Sequence, residues 1–515
     1  MKRFLCVILS LVLVLGIFTG CDPTEEPYVP TGDGLTWDED DPNAVTRPQE
    51  EEPQVLSLTY YPDVTLNPLR CNDYTNRAIL SLMYQGLFTV DRDYNVEPML
   101  CSRYSMSENM RTYTFYIDEK ATFSDGTPVT AEDVVETLKS AKNNGVYRSR
   151  FTRVSSFSVS DDGGVKIKLN TAYENLPLLL DVPIIKATEL ESDRPLGTGP
   201  YVFTDYGMGA NLTRRSNWWC DADMVITAST IGLVEAESVN QIRDQFQFGD
   251  LDLVQADTGS DRYADYLCDY ELWDSENGIF LYLVFNQESK YFSDAKVRSA
   301  MTHGINRELL ITEYYRGFAR SATLPASPLS PYYNTVLAAR YEYDPVAFGT
   351  VVQNSNMDGK TLVMIVNGKD SYRLRVAEEI VKMFEEAGVH VTIETYSGTR
   401  YTKALSEGEY DMYLGQTILS PNMDLSHFFS SSGNLNYGGI DDITVYTLCQ
   451  QALENHGNYY TLHQAVMEQG LICPILFRSY AIYATRGLLT QLTPARDNVF
   501  YYSIGKTMEE AFIRE

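Results

Sequence analysis

The chain has 515 residues and is strongly acidic: 70 Asp and Glu stand against 41 Lys and Arg, for a formal net charge of −29. No basic face is on offer, which argues against nucleic acid as a partner. The 44% of hydrophobic residues is ordinary for a globular chain and excludes one that is disordered throughout.

In chain order, the first elements read as addressing rather than folding signals. Lys2 and Arg3 precede an almost wholly apolar run from Leu5 to Phe18, too short for a comfortable membrane-spanning helix, which needs about 20 residues. A basic start, a short apolar core and small residues before a cut site make an export signal. Thr19-Gly20-Cys21 looks like a bacterial lipobox, with Phe18 where that pattern prefers Leu. Residues 1–20 are therefore expected to be a lipoprotein signal peptide. Cys21 is expected to carry the lipid that anchors the chain to the outer face of the cell membrane, two acyl chains making a stable anchor. Residues 21–54 then form an acidic, proline-bearing tether that has too little apolar surface to fold.

The remaining length corresponds to two or three domains. In "KATFSDGTPVTAEDVVETLKSAK", Asp125-Gly126 is a turn. Thr130 caps a helix, with Asp133 returning the bond as in a capping box and Val129 and Val134 forming a staple. "IGLVEAESVNQIRDQFQFGDLDLVQAD" reads as strand, helix, Gly249, strand, with Val239, Ile242 and Phe246 on the buried helix face. Further on, "TLVMIVN", "SYRLRVAEEIVKMFEEAG", "VHVTIETY", "TRYTKALSEG" and "YDMYLGQ" alternate as βαβαβ, hence a parallel sheet with right-handed crossovers. The two passages share a device: a helix stopped by glycine, then Asp252 or Asp411 opening the next strand. Two such lobes would enclose a cleft beyond the carboxyl ends of their strands.

Cys71, Cys101, Cys220, Cys268, Cys449 and Cys473 are even in number and permit disulfides outside the cytoplasm, but their spacing selects no pairing. His303, His390, His427, His456 and His463 are scattered, without CxxC or HExxH, so no metal or cofactor is expected. Ser293-Asp-Ala-Lys296 matches S-x-x-K but lacks the supporting S-D-N and K-T-G elements. Gly197-Thr-Gly-Pro200 lacks the Lys-Ser/Thr of a phosphate loop and reads as a turn into a strand. The expectation is a binding protein, not an enzyme.

Taken together, "LNPLRCNDYTNRAILSLMYQGLFTVDRDYNVEPMLCSRY", "TYTFYIDEKATFSDGTPVTAEDVV", "GTGPYVF", "ESVNQIRDQFQFGDLDLV", "YLVFNQESKYFSDAKVRSAMTHGINRELL" and "LSEGEYDMYLGQ" resemble the family 5 extracellular solute-binding proteins, receptors for oligopeptide, dipeptide and nickel ABC importers. The resemblance implies an α/β, two-lobed periplasmic-binding-protein-like fold (type II, cluster C) with an extra inserted domain and two interlobe crossings. Lobe I would comprise 55–75, 190–283 and 481–515, the inserted domain 76–189, and lobe II 284–480, with crossings at "YLVFNQ" and near "PILFRSYAIY". It further implies a monomer that captures a short peptide or related polar solute by hinge closure and hands it to a membrane permease with its ATPase. A surface lipoprotein acting as sensory co-receptor or chaperone through the same cleft is the alternative, with a hydrolase behind it.

Strand ends supply the cleft candidates: Tyr60 and Tyr61 after the first strand, Gln255 and Asp257 after "LDLV", Asn286 after "YLVF", and Gln416 and Thr417 after "YDMYLG". By the resemblance, Tyr147 and Arg150 come from a region that reaches the ligand in peptide-binding relatives. Those relatives pair the peptide's ammonium with an acidic residue just beyond the "YD…LG" strand. Leu419 falls at that place here, and Asp424 is the nearest carboxylate.

Overall fold

The computed structural model describes residues 55–514 except 144, 206, 208, 262, 441, 490 and 504–510; the signal, the tether and Cys21 lie outside the described residues. Among the described residues, eleven strands form one mixed sheet. At one end, Val55–Tyr60 lies in parallel between Thr230–Glu235 and Leu253–Ala256. At the other, Thr361–Asn367 lies in parallel between His390–Tyr396 and Met412–Ile418. Two long antiparallel strands, Glu271–Phe285 and Cys473–Ala484, join the ends.

Both parallel ends are built by the device seen in the sequence. Helix Val239–Phe248 is capped by Ser238 and stops at left-handed Gly249, while helix Thr399–Glu407 stops at left-handed Gly408. Glycine fits there because that conformation costs a side chain bearing Cβ. The aspartate that follows then clasps the neighbouring strand. Asp252 Oδ2 accepts the Ser57 N–H at 2.8 Å, and Asp411 Oδ2 accepts the Val363 N–H at 2.8 Å. The carbonyls of these two aspartates accept the N–H groups of Thr485 and Asn286, just past the ends of the two long strands.

The long strand Glu271–Phe285 explains its own composition. Leu281, Leu283 and Phe285 face one core, with Leu362, Met364 and helix residues Val376, Ile380 and Phe384. Phe280, Tyr282 and Val284 face another, with Ile365, Tyr413 and Phe428. A strand covered on both faces reads as a continuous apolar run. Its first half breaks that pattern at Ser275-Glu276-Asn277-Gly278, where four steps from Glu276 to Phe280 oppose two from Ser479 to Phe477. This bulge bends the strand, and Gly278 takes φ of 69° within it.

A separate five-stranded sheet contains Cys101–Met106, Thr112–Ile117, Val154–Val159 and Val165–Leu169. Its fifth strand is Phe512–Arg514, which pairs with Cys101–Met106. This last strand, from the 481–515 segment expected in lobe I, joins the separate sheet, where the apolar Phe512 packs at a tilt against Tyr104. The helix expected after Thr130 runs from Ala131 to Asn143. Thr130 N–H donates to Asp133 Oδ2 at 3.0 Å, and Asp133 N–H donates to Thr130 Oγ1 at 3.2 Å. Cys71, Cys268, Cys449 and Cys473 form no disulfide. Asp294, within the S-x-x-K run, caps helix Ala295–Ala300. The GTGP turn is a packing feature: a Cβ on Gly197 would stand 2.2 Å from the Met83 carbonyl oxygen.

Candidate functional site

A cavity of about 220 Å³ opens at the strand bulge. Gln255 and Ile418, from the two parallel ends of the sheet, both line it, as do Glu276 and Asn277. A smaller pocket of about 70 Å³ lies beside it and shares Arg77, Tyr147, Arg150 and Arg496.

Local sequence places each group. Asp73 caps helix Tyr74–Met83 by accepting from the N–H groups of Thr75 and Asn76. Asn76 then ties the helix to the first strand, accepting from Tyr61 N–H at 2.9 Å and donating to Tyr61 O at 3.0 Å. This turns Tyr74 and Arg77, three apart and so on one helix face, toward the cavity. Tyr147 follows helix Ala131–Asn143, with Arg77 and Arg150 5.7 and 4.9 Å from its ring centre. Ala495 and Asn498 exchange backbone hydrogen bonds in a tight turn. Asp497 takes φ of 60° there, a conformation Asp tolerates better than most residues. Ser275 Oγ donates to Ala495 O at 2.9 Å, docking the turn on the bulge.

Three guanidiniums therefore gather on one carboxylate. Asp497 lies 3.0 Å from Arg77, 3.3 Å from Arg150 and 3.8 Å from Arg496 Nε. Arg150 also meets Asp181. Burial opposes ionisation of Asp497, but Arg77, Arg496 and Arg150 outweigh it and hold the carboxyl below its usual range. Burial is the chief cause that brings Arg150 down to about 10, so it remains a cation at neutral pH. Such clustering is costly unless each charge is matched.

The structure brings Tyr147, Arg150 and Gln255 to this cavity. Tyr60 instead packs in the core, 5.8 Å from Phe203, and Tyr61 packs beside the cluster of Ile242 and Phe246. Asp257 is paired with Arg478 and accepts the Gly259 N–H. Gln416 and Thr417 sit opposite Leu281 and Phe280, and the cavity is lined by Ile418 and Ser420 just beyond them.

Two expected residues lie away from this cavity. Asn286 lies at the opposite end of its sheet, because its strand runs antiparallel to Met412–Ile418 and pairs Phe285 with Met412. Its amide donates to Gly408 O and Tyr410 O at 2.9 Å, a structural tie. Asp424 lies in a different pocket and is held by Arg153, Nε to Oδ2 3.2 Å. The residues not anticipated are Arg77, Glu276, Asn277, Arg496 and Asp497. All but Arg77, which sits on helix Tyr74–Met83, had a signal in the interruption of apolar sequence by "DSENG" and "ARDN".

Comparison with known proteins fits this architecture. The family described as "Bacterial extracellular solute-binding proteins, family 5 Middle" matches residues 95–437, and the chain belongs to family 5 of these solute-binding proteins. Similar relatives include the glutathione-binding protein GsiB of Salmonella typhimurium, 24% identical over 403 residues, covering 71% of this chain and 76% of the relative. The oligopeptide-binding protein AppA of Bacillus subtilis is 22% identical over 409 residues, covering 72% and 75%. Among solved structures, the ABC transporter substrate-binding protein CtaP of Listeria monocytogenes superposes with a TM-score of 0.71 at 19% identity, covering 90% of this chain and 99% of that one.

Proposed function

We propose that this protein is the substrate-binding lipoprotein of an ABC importer, capturing a small polar solute of short-peptide size between two lobes and passing it to a membrane permease and its ATPase. The observation that carries the reading is the cavity at the bulge of the long strand Glu271–Phe285, bordered by both parallel ends of the sheet. Lobe I is read as 55–75 and 190–283 with much of 481–515, lobe II as 284–480, and 76–189 as the inserted domain. The bulge at Glu276–Phe280, beside Cys473–Ala484, is the hinge. The relatives named for glutathione and oligopeptides support a peptide-like solute. The lipobox-like Gly20-Cys21 and the acidic segment after it support a tethered receptor held near its permease at high effective concentration. The protein binds without turnover.

Protein purified without denaturation should release a small solute on unfolding, identified by mass spectrometry. After refolding free of solute it should be less compact by small-angle scattering, and adding the identified solute should restore the compact form. Solute that binds without compaction would sink hinge closure. A solute returned chemically altered would sink binding without turnover.

A further inference from the structure

We propose that the cavity takes a solute bearing a carboxylate, and that Arg496 and Asn277 receive that group; this rests on the cavity being the binding site.

The cavity-lining carboxylates are committed. Glu276 accepts from Tyr94 Oη and from Ser327 Oγ, each at 2.6 Å, one on each oxygen. Asp497 is shared by three arginines. The donors are not all committed. Arg496 has a side chain only 7% exposed, and its Nη2 donates to Leu419 O. Its Nη1 is buried with no hydrogen-bond partner among the described residues. Asn277 Oδ1 accepts the Ile279 N–H at 3.0 Å, which sets the orientation of the amide. Its Nδ2 is likewise buried and unpartnered.

Both residues line the same cavity. The Arg496 guanidinium lies against Gly278, where a Cβ would stand 2.4 Å from its Cζ and 2.9 Å from its Nη1. Asn277 is the adjacent residue in the same bulge. A buried donor left unmade costs free energy, and a guanidinium donor costs more than a neutral one. A carboxylate accepting from both would remove that cost and gain a charge-assisted bond. An ammonium at the same place would meet three guanidiniums, which Glu276, whose two oxygens each already accept a hydrogen bond, would have to outweigh. Of the remaining cavity-lining atoms without a hydrogen bond, Arg150 Nη1 and Arg496 Nε are ion-paired with Asp181 and Asp497, whereas Gln255 Oε1 and Asn498 Oδ1 suit N–H or O–H groups elsewhere on the same solute.

The test is calorimetry on the full extracellular chain, freed of co-purified solute, with matched probes: trialanine, glutathione, glutarate and citrate, their amides, and the amine spermidine. At least one acid should bind, and its amide should bind about 10- to 100-fold more weakly. Arg496→Gln and Asn277→Asp should each weaken that acid by a comparable factor. Arg496→Lys, which keeps the charge but not the planar fork, should recover part of the loss. Unchanged thermal midpoints would separate lost recognition from lost folding. An amide or spermidine binding as tightly as the acids, with Arg496→Gln indifferent, would overturn the carboxylate assignment and leave the receptor reading standing. No probe binding, together with no solute released from native protein, would overturn both.

Discussion

Asp424 and Arg153 form a side-chain pair, 3.2 Å from Nε to Oδ2, between segments 271 positions apart in the chain. Arg153 also donates to Thr171 Oγ1, Gln450 Oε1 and Ser426 Oγ, and Asp424 accepts the Ser426 N–H. The Asp424 carboxylate is thus engaged in holding two parts of this protein together. That agrees with a cavity whose spare capacity lies in donors.

Removing either partner should destabilise the fold without abolishing recognition. Arg153→Met leaves the Asp424 charge buried and unpaired, and should cost about 3–5 kcal/mol. Asp424→Asn leaves Arg153 three other acceptors and should cost less, about 1–3 kcal/mol. In a double-mutant cycle by urea unfolding, the second change should cost little once the first is made. Additive losses would show that the two residues do not act as a pair.

Acid should unfold the protein through the same groups. Burial opposes ionisation of Asp424 and Asp497, yet Arg153 in one case, and Arg77, Arg496 and Arg150 in the other, hold both carboxyls below their usual range. Their folded pKa values are lower than in the unfolded chain. The stability they contribute is therefore fully present above about pH 4, the ordinary carboxylate range, and is lost as pH falls through the lower folded values. Unfolding free energies from pH 6 to 2 should fall steeply below about pH 4. Asp424→Asn should flatten that slope; a slope unchanged by the substitution would count against this assignment.

Gly278 should be intolerant for two reasons. Its φ of 69° disfavours any side chain bearing Cβ, by about 1–2 kcal/mol. A methyl group there would also displace the Arg496 guanidinium. Gly278→Ala should lower the thermal midpoint and weaken solute binding together, whereas Gly249→Ala, strained to a similar φ but with open space around it, should lower the midpoint alone.

Much of the architecture was legible because it is local. The Thr130–Asp133 capping box, the apolar face of helix Ser371–Glu386 and the glycine stops need only neighbours within a few residues. Lines of strands were harder. Asn286 was expected in the cleft because it ends a strand, but strand direction in a mixed sheet decides which end faces which. Only the pairing of Glu271–Phe285 with Met412–Ile418 puts it on the far side. The arginine cluster was hard to read for a different reason: Arg77 and Arg150 come from two separate segments to join Arg496 and its neighbour Asp497. In the sequence each is one more charged residue on a loop or helix.

The lipid anchor has a direct test. Cys21 follows the small residues Thr19 and Gly20 at the end of the apolar run, a junction that resembles a lipoprotein cleavage site. The native chain should fractionate with membranes and begin at Cys21, and Cys21→Ala should lose the lipid and either remain uncut or be released. A Cys21→Ala chain that still carries lipid would refute the anchor.

The repeated aspartate clasp yields a prediction that compares the protein with itself. Asp252 and Asp411 each follow a glycine-stopped helix, each accept a strand N–H at 2.8 Å, and each accept through their carbonyl from the chain just past a long strand. Asp411 takes one further bond, from Ser289 Oγ at 2.5 Å. Among the described residues Asp252 has no such extra donor, and burial raises its carboxyl above the usual range despite the Ser57 N–H. Replacing either by Ala leaves a strand N–H without its acceptor, a loss of about 1–3 kcal/mol. Asp411→Ala also strands the Ser289 hydroxyl, so it should cost more than Asp252→Ala, while Asp252→Asn should be nearly neutral because an amide oxygen still accepts from Ser57. Urea unfolding of the three variants checks the order. An Asp252→Asn protein as weakened as Asp252→Ala would mean that the charge, rather than the hydrogen bond, fastens the strand.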